Sequence, residues 1–76
     1  MDKELSFGEK AVGRTFNPGS NVEVDAIKLD FANIIDVLND LRAEADDAEV
    51  KRMLSLAITD AQTAQMWAVK AVTWQK

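Results

Sequence analysis

Two long segments of the chain carry apolar residues at the spacing of an α-helix, and a short acidic stretch separates them. The first runs from about residue 21 to 44, the second from about 47 to 74, and Glu44–Asp47 connects them. A chain of 76 residues forms one domain at most, and no segment shows the alternation of a strand. The sequence therefore predicts an all-α helical hairpin, a single domain over residues 1–76, with a short N-terminal helix within residues 1–12.

Both long helices carry more apolar surface than one partner helix can cover. The first has a seam with alternating spacings of three and four, and a second apolar set off that seam. The seam is Val24, Ile27, Phe31, Ile34, Leu38 and Leu41, and the second set is Ala26, Leu29, Ala32, Ile35 and Val37. The other helix combines the small-residue stripe Ala57, Ala61, Ala64, Ala68 and Ala71 with the bulky residues Leu54, Ile58, Met66, Val69 and Val72. Because an amphipathic helix needs one stripe, we expect a compact helical homo-oligomer.

A cluster of helix-breaking residues precedes the first long helix. Gly13 is followed by Asn17–Ser20, in which Pro18 restricts its own backbone and that of Asn17. Gly19 permits backbone angles that other residues resist. Ser20 with Glu23 has the spacing of a capping box, and so has Asp46 with Glu49 before the second helix. The cluster therefore predicts a turn of defined shape, with a helix that begins after Ser20.

The composition argues against most chemistry. The chain has no Cys and no His, which excludes disulfides and the usual zinc ligands and leaves Ser and Thr without an imidazole to activate them. We therefore expect no enzyme, no catalytic residue, no metal and no cofactor. The net charge of −4 argues against binding to DNA. No apolar run approaches the length of a membrane span and no signal peptide is visible, so we expect no membrane partner and a cytoplasmic protein.

The residues that suit a ligand are aromatic rings, cations and the backbone of the turn. Phe16–Gly19 offers a ring and backbone N–H groups near a helix start, which suits an anion; the same residues also fit a hydrophobic staple before the helix. Arg14 and Lys28 are candidate phosphate contacts, and each also fits a solvated surface charge.

The end of the chain offers a second aromatic group. Trp67 and Trp74 lie seven residues apart, on one face of the second helix, and Lys70 lies between them. Exposed rings stack well on nucleobases, whereas the same spacing also fits packing in a core or subunit interface. The candidate ligand-binding set is Gly13, Arg14, Phe16, Asn17, Pro18, Gly19, Lys28, Trp67 and Lys70.

The chain resembles the phage-encoded sponges for cyclic oligonucleotides that block CBASS immunity, the type two anti-CBASS family, whose hairpin domain also occurs in a phage Thoeris inhibitor. The resemblance rests on Phe16-Asn17-Pro18, on Asp25-Ala26-Ile27-Lys28 and on Thr59 through Val72 with Met66-Trp67-Ala68. It covers roughly residues 13–74, and each motif alone is weak, whereas their order and separation are moderately specific.

The resemblance implies a helical protomer that assembles into a homohexamer with threefold symmetry and binds bacterial second messengers without cleaving them. Cyclic dinucleotides would lie in pockets between protomers, with Lys28 as the retained lysine, and cyclic trinucleotides in separate pockets near the threefold axis. It also implies action in the cytoplasm of the infected bacterial host. Two positions depart from the pattern: Gly13 stands where many members have a base-stacking aromatic residue, and Ile58 stands where some have an arginine.

Two other functions fit the same residues. The protein can be a structural helical oligomer whose apolar faces serve assembly alone, or a small adaptor that docks on a host protein. Both predict that cyclic nucleotides do not bind, so a thermal-shift panel of such ligands distinguishes them from a sponge.

Overall fold

The computed structural model describes residues 4–17 and 19–74. It contains three helices, α1 (Phe7–Ala11), α2 (Val22–Glu44) and α3 (Ala48–Val72), and no strand among the described residues. α2 and α3 pack side by side as a hairpin, and α1 packs on α2. The prediction of an all-α hairpin with a short N-terminal helix is confirmed.

The residues that begin the long helices differ by one from the predicted caps. Asn21 caps α2 by accepting from the Val24 N–H at 3.0 Å, so the predicted Ser20 cap is wrong. Ser20 has a φ of 53°, whereas an N-cap residue needs an extended backbone. Asp47 caps α3, accepting from the Glu49 N–H at 2.7 Å, so Asp46 does not.

A capping box is present at the start of α1 instead. The Ser6 hydroxyl accepts from the Glu9 N–H at 3.0 Å, and the Glu9 carboxylate accepts from the Ser6 N–H at 2.8 Å. These two bonds satisfy N–H groups that a five-residue helix cannot satisfy internally.

The buried stripe of α2 runs between the two predicted apolar sets. Its members are Val24, Lys28, Ala32 and Ile35. Ile34 and Leu41, both assigned to the seam, are about half exposed. Of the predicted seam, Val24 is buried and Phe31 and Leu38 pack against the core. The seam is thus only partly covered within the protomer, because α2 contacts α1 as well as α3. The core consists of Val12, Ala32, Ile35 and Ile58, with Ala11, Phe31, Leu38 and Ala61 packed against it.

Gly8 sets the distance between α1 and α2. A Cβ atom at this position would overlap the Ala32 carbonyl oxygen and lie 2.8 Å from Asp36 Oδ1. The Gly8 N–H donates to the same Asp36 oxygen at 2.6 Å. Gly8 therefore permits the contact of α1 with α2, although a glycine in a helix is unfavourable by intrinsic propensity.

The protomer is thin. Its Cα atoms extend over 46 × 36 × 12 Å, and the smallest dimension is about the diameter of one helix with its side chains. Domains normally enclose a core between two packed layers, whereas this layer leaves many large apolar side chains exposed, including Leu29, Ile34, Val37, Leu41, Met53, Leu56, Trp67 and Trp74.

Among residues 4–17 and 19–74, no helix combines the length and hydropathy that a bilayer span requires.

Candidate functional site

Lys28 is a buried lysine on the core side of α2. It is 5% exposed, so the interpretation of Lys28 as a solvated surface charge is wrong. Its Nζ donates to the carbonyl oxygen of Gly13 at 2.9 Å and to that of Phe16. These two hydrogen bonds allow Lys28 to be buried on the same stripe of α2 as Val24, Ala32 and Ile35. An ammonium group has three N–H donors, so one donor is left for a further partner.

Lys28 has no carboxylate as a counter-ion. The ion pairs found among the described residues are Arg14–Asp25 and Arg52–Glu49. A buried cation that is unpaired is costly in free energy, and backbone carbonyls compensate only part of that cost. An anion beside Lys28 would supply the counter-charge that the described residues do not.

The segment from Gly13 to Asn17 presents its backbone to Lys28 and its ring to solvent. Gly13 has a φ of 64°, which glycine adopts without strain and which lets the chain turn after α1. The Phe16 ring is 72% exposed, and Lys28 Nζ lies 5.4 Å from its centroid. A ring with this exposure does not pack as a hydrophobic staple, and its contact with a ligand stays a prediction.

Asn17 holds the turn against the start of α2. Its Oδ1 accepts from the Asn21 N–H at 3.1 Å, and its Nδ2 donates to the Asn21 carbonyl oxygen at 2.9 Å. The side-chain amide predicted to contact ligand is thus engaged within the protomer. Gly19 has a φ of 81°, and a Cβ atom added to it would meet no described atom within 4 Å. Pro18 lies outside the described residues.

Arg14 is paired within the protomer. Its Nη1 donates to Asp25 Oδ1, so the expected free cation is already partly neutralised. Its Nε is buried and is the one fully covered side-chain polar atom without a partner among the described residues. Arg14, Asp25 and Ser20 line a small cleft of their own, and Arg14 does not line the larger cleft described next.

A large cleft lies between the segment 10–16 and α3. Its volume is about 650 Å³, within the range of roughly 300–1,000 Å³ that is typical of small-molecule sites. Lys10, Lys28 and Lys70 line it, and no Asp or Glu of the described residues does. This is notable in a chain whose net charge is −4. The other lining residues with side chains suited to a ligand are Phe16, Gln62, Gln65, Met66 and Val69.

A smaller cleft of about 290 Å³ adjoins the first. Phe16, Lys28 and Val69 line both, and Asn21 and Val24 belong to the smaller one. Phe16 and Lys28 therefore stand where the two spaces meet, and a ligand in either space has access to them.

Trp67 and Trp74 hold Lys70 at the margin of the large cleft. Lys70 Nζ lies 5.5 Å from the Trp67 ring and 5.9 Å from the Trp74 ring, within cation–π range. Both rings are about two-thirds exposed, so neither belongs to the core of the protomer. Trp67 does not line the cleft, but it contacts Lys70, which does.

Eight of the cleft residues were not among the sequence-based candidates: Lys10, Ala11, Val12, Gln62, Gln65, Met66, Val69 and Thr73. Gln62, Gln65 and Val69 continue the spacing of the buried Ile58 along α3, at intervals of three and four. Polar residues that continue an apolar stripe are a usable signal for a cleft wall. Lys10 carried no such signal, because only the packing of α1 brings it there.

Ile58 belongs to the core and is 4% exposed. At the position where some relatives carry an arginine, this chain thus has a side chain that the core requires. Arg14 pairs with Asp25, and Lys70 lies against two indoles.

The helical hairpin has a counterpart among known families. The family model described as "Acb2/Tad1, hairpin domain" matches residues 9–73, which include α1 in part, the turn, α2 and α3. Neither the curated proteins nor the solved structures gave a match. Since the matched span covers most of the 76 residues, the chain belongs to the Acb2/Tad1 hairpin domain family, a family of phage anti-defence proteins.

Proposed function

We propose that the protein binds cyclic oligonucleotide second messengers in the large cleft and sequesters them without cleavage, so that CBASS effectors in the cytoplasm of the infected bacterial host stay inactive. The observation that carries the proposal is Lys28, a buried ammonium group in a cleft lined by three lysines. Among residues 4–17 and 19–74, no carboxylate pairs with it and no acid lines the cleft. Such a cleft favours an anion of small-molecule size.

The cyclic dinucleotide is the ligand class that this arrangement fits best. Its two phosphates would engage the remaining donor of Lys28 together with Lys10 or Lys70, because charge-assisted hydrogen bonds are the strong ones. The exposed Phe16 ring would stack on a base. Phe16 thereby supplies the base-stacking ring that many family members have at the position of Gly13. Mass action then lowers the free messenger concentration below the threshold of the effector.

Cyclic trinucleotides are the second ligand class, and the protomer offers them less. The arginine of some relatives is the core residue Ile58 here, so a trinucleotide pocket would depend on cations that several protomers contribute together. We therefore expect weaker binding of cyclic trinucleotides than of cyclic dinucleotides.

Assembly belongs to the same proposal. A protomer about one helix thick with exposed apolar residues on α2 and α3 is stabilised when copies cover those faces. The resemblance to the sponges implies six copies. Further protomers would also close the clefts, which are open to solvent on the single chain.

A sponge returns its ligand unchanged, and this property supplies the test. The purified protein is titrated with cyclic di-AMP, cyclic di-GMP and cyclic tri-AMP by calorimetry and thermal shift, since a ligand that binds only the native state raises Tm. The complex is then heat-denatured and the released nucleotide is analysed by chromatography. We expect Tm to rise with a cyclic dinucleotide and the released molecule to be intact.

Two results would count against the proposal. A linear dinucleotide in the released fraction would indicate a nuclease. Failure of every cyclic nucleotide to bind at millimolar concentration would favour the structural oligomer or the adaptor for a host protein. Lys51→Ala should bind the same ligands as the parent, because Lys51 is an exposed lysine of α3 outside the cleft.

A further inference from the structure

Gln65 is a buried polar residue in the wall of the large cleft. It is 5% exposed and lies on the side of α3 that carries Ile58 and Val69. A glutamine at such a position is unusual, because buried positions of a helix normally hold apolar side chains. The buried stripe of α3 thus changes from apolar to polar where it reaches the cleft.

The amide of Gln65 has no hydrogen-bond partner within the part of the chain that the structure describes. The neighbouring glutamine differs: Gln62 Nε2 donates to the Ala11 carbonyl oxygen at 3.4 Å. Among the described residues, the one fully covered side-chain polar atom without a partner is Arg14 Nε. The amide atoms of Gln65, which also have no partner, are therefore not fully covered. Its amide atoms therefore reach the open cleft.

Because it reaches the cleft and bonds to no described protein group, the amide is available to a molecule that enters the cleft. The free amide provides one acceptor, its carbonyl oxygen, and a donor pair, its NH₂ group. Lys28 and Lys70 supply cations on the same cleft surface, and Phe16 supplies a ring. Gln65 is thus the residue in this set that is equipped to distinguish one base from another.

We propose, on the basis of the function proposed above, that Gln65 reads the base of the bound nucleotide and favours adenine over guanine. The edge of adenine that carries N7 and N6 presents one acceptor beside one donor, whereas the corresponding edge of guanine presents two acceptors. A glutamine amide pairs with the first edge through two hydrogen bonds and with the second through one.

The test compares the parent with Gln65→Met against cyclic di-AMP and cyclic di-GMP. Methionine keeps the length and volume of the side chain and removes the amide. We expect the parent to bind cyclic di-AMP more tightly, and the variant to lose about tenfold in affinity for it, so that the two affinities become nearly equal. Without ligand, the variant should melt at the same temperature or higher, because an apolar group replaces an unpaired amide.

Thr63→Val is the control. Thr63 is an exposed polar residue of α3 that does not line the cleft, so this variant should keep the preference for adenine. A second measurement needs no variant: the 7-deaza analogue of cyclic di-AMP lacks the N7 acceptor and should bind the parent about tenfold more weakly.

The outcomes separate the two proposals. If the parent binds both cyclic dinucleotides equally, or Gln65→Met keeps the preference for adenine, the role of Gln65 is refuted while the sponge function stands. If Gln65→Met lowers Tm strongly in the absence of ligand and the 7-deaza analogue binds as well as cyclic di-AMP, Gln65 is a structural residue. Absence of binding to every cyclic dinucleotide would overturn both proposals.

Discussion

Lys28 Nζ and the Gly13 carbonyl oxygen lie 2.9 Å apart, and this bond joins the core of α2 to the turn that follows α1. With the second bond to the Phe16 carbonyl, one buried side chain fixes the backbone of the segment that carries the exposed Phe16 ring. The same lysine is the proposed phosphate contact. Stability of the turn and affinity for the ligand thus depend on one ammonium group.

Lys28→Met should therefore lower both the stability of the protein and its affinity for cyclic dinucleotides. Methionine keeps most of the buried hydrocarbon and removes the charge. Loss of one charge-assisted contact, worth roughly 1.5–3 kcal/mol, should weaken cyclic dinucleotide binding about ten- to a hundredfold, and Tm should fall because two carbonyl groups lose their donor. Calorimetry and thermal melting measure the two effects. Lys51→Met should change neither, and an unchanged affinity for Lys28→Met would remove Lys28 from the ligand site.

Phe16→Leu separates stacking from packing. The ring is 72% exposed, so its removal should change Tm little. Stacking on a base is worth roughly 1–3 kcal/mol, so affinity for cyclic dinucleotides should fall between about fivefold and a hundredfold. Titration calorimetry on a variant with parent-like melting gives the answer. Lost Tm with retained affinity would show instead that the ring is structural.

Gly8→Ala should destabilise the fold. The added methyl group overlaps the Ala32 carbonyl oxygen and crowds Asp36, so α1 must move away and the Gly8–Asp36 bond must lengthen or break. Overpacking costs roughly 1–3 kcal/mol, although alanine is the better helix former by about 1 kcal/mol. The urea midpoint should fall accordingly. A midpoint equal to or above that of the parent would mean that α1 does not dock on α2 as described.

Ile34→Glu and Leu41→Glu test assembly. Both side chains lie on one exposed stripe of α2 with Val37. If copies of the chain cover this stripe, a buried carboxylate without a partner opposes the contact, and light scattering should show a smaller mass than the multi-protomer parent. Lys51→Glu, at an exposed polar position, should keep the parent mass. A monodisperse parent monomer at micromolar concentration would refute the assembly outright.

The number, order and approximate bounds of the long helices were predictable from the sequence. Such features depend on residues close to one another along the chain: apolar spacing defines the helical segments, and short polar side chains with Gly and Pro end them. The errors at Ser20 and Asp46 are of one residue, because neighbouring polar side chains compete for the same cap. The aromatic–cation group of Trp67, Lys70 and Trp74 was also visible, since helical spacing alone brings these residues together.

Contacts between distant segments were decided only by the tertiary structure. Lys28 looked like a surface residue until the carbonyl groups of Gly13 and Phe16, at least twelve residues away, gave it partners. Arg14 fitted a solvated charge until Asp25 paired with it. Gly8 is unfavourable in a helix by intrinsic propensity, and only the close approach of Ala32 explains it. Burial of a polar group is favourable only where another segment provides its hydrogen bonds, and helical periodicity does not specify which segment that is.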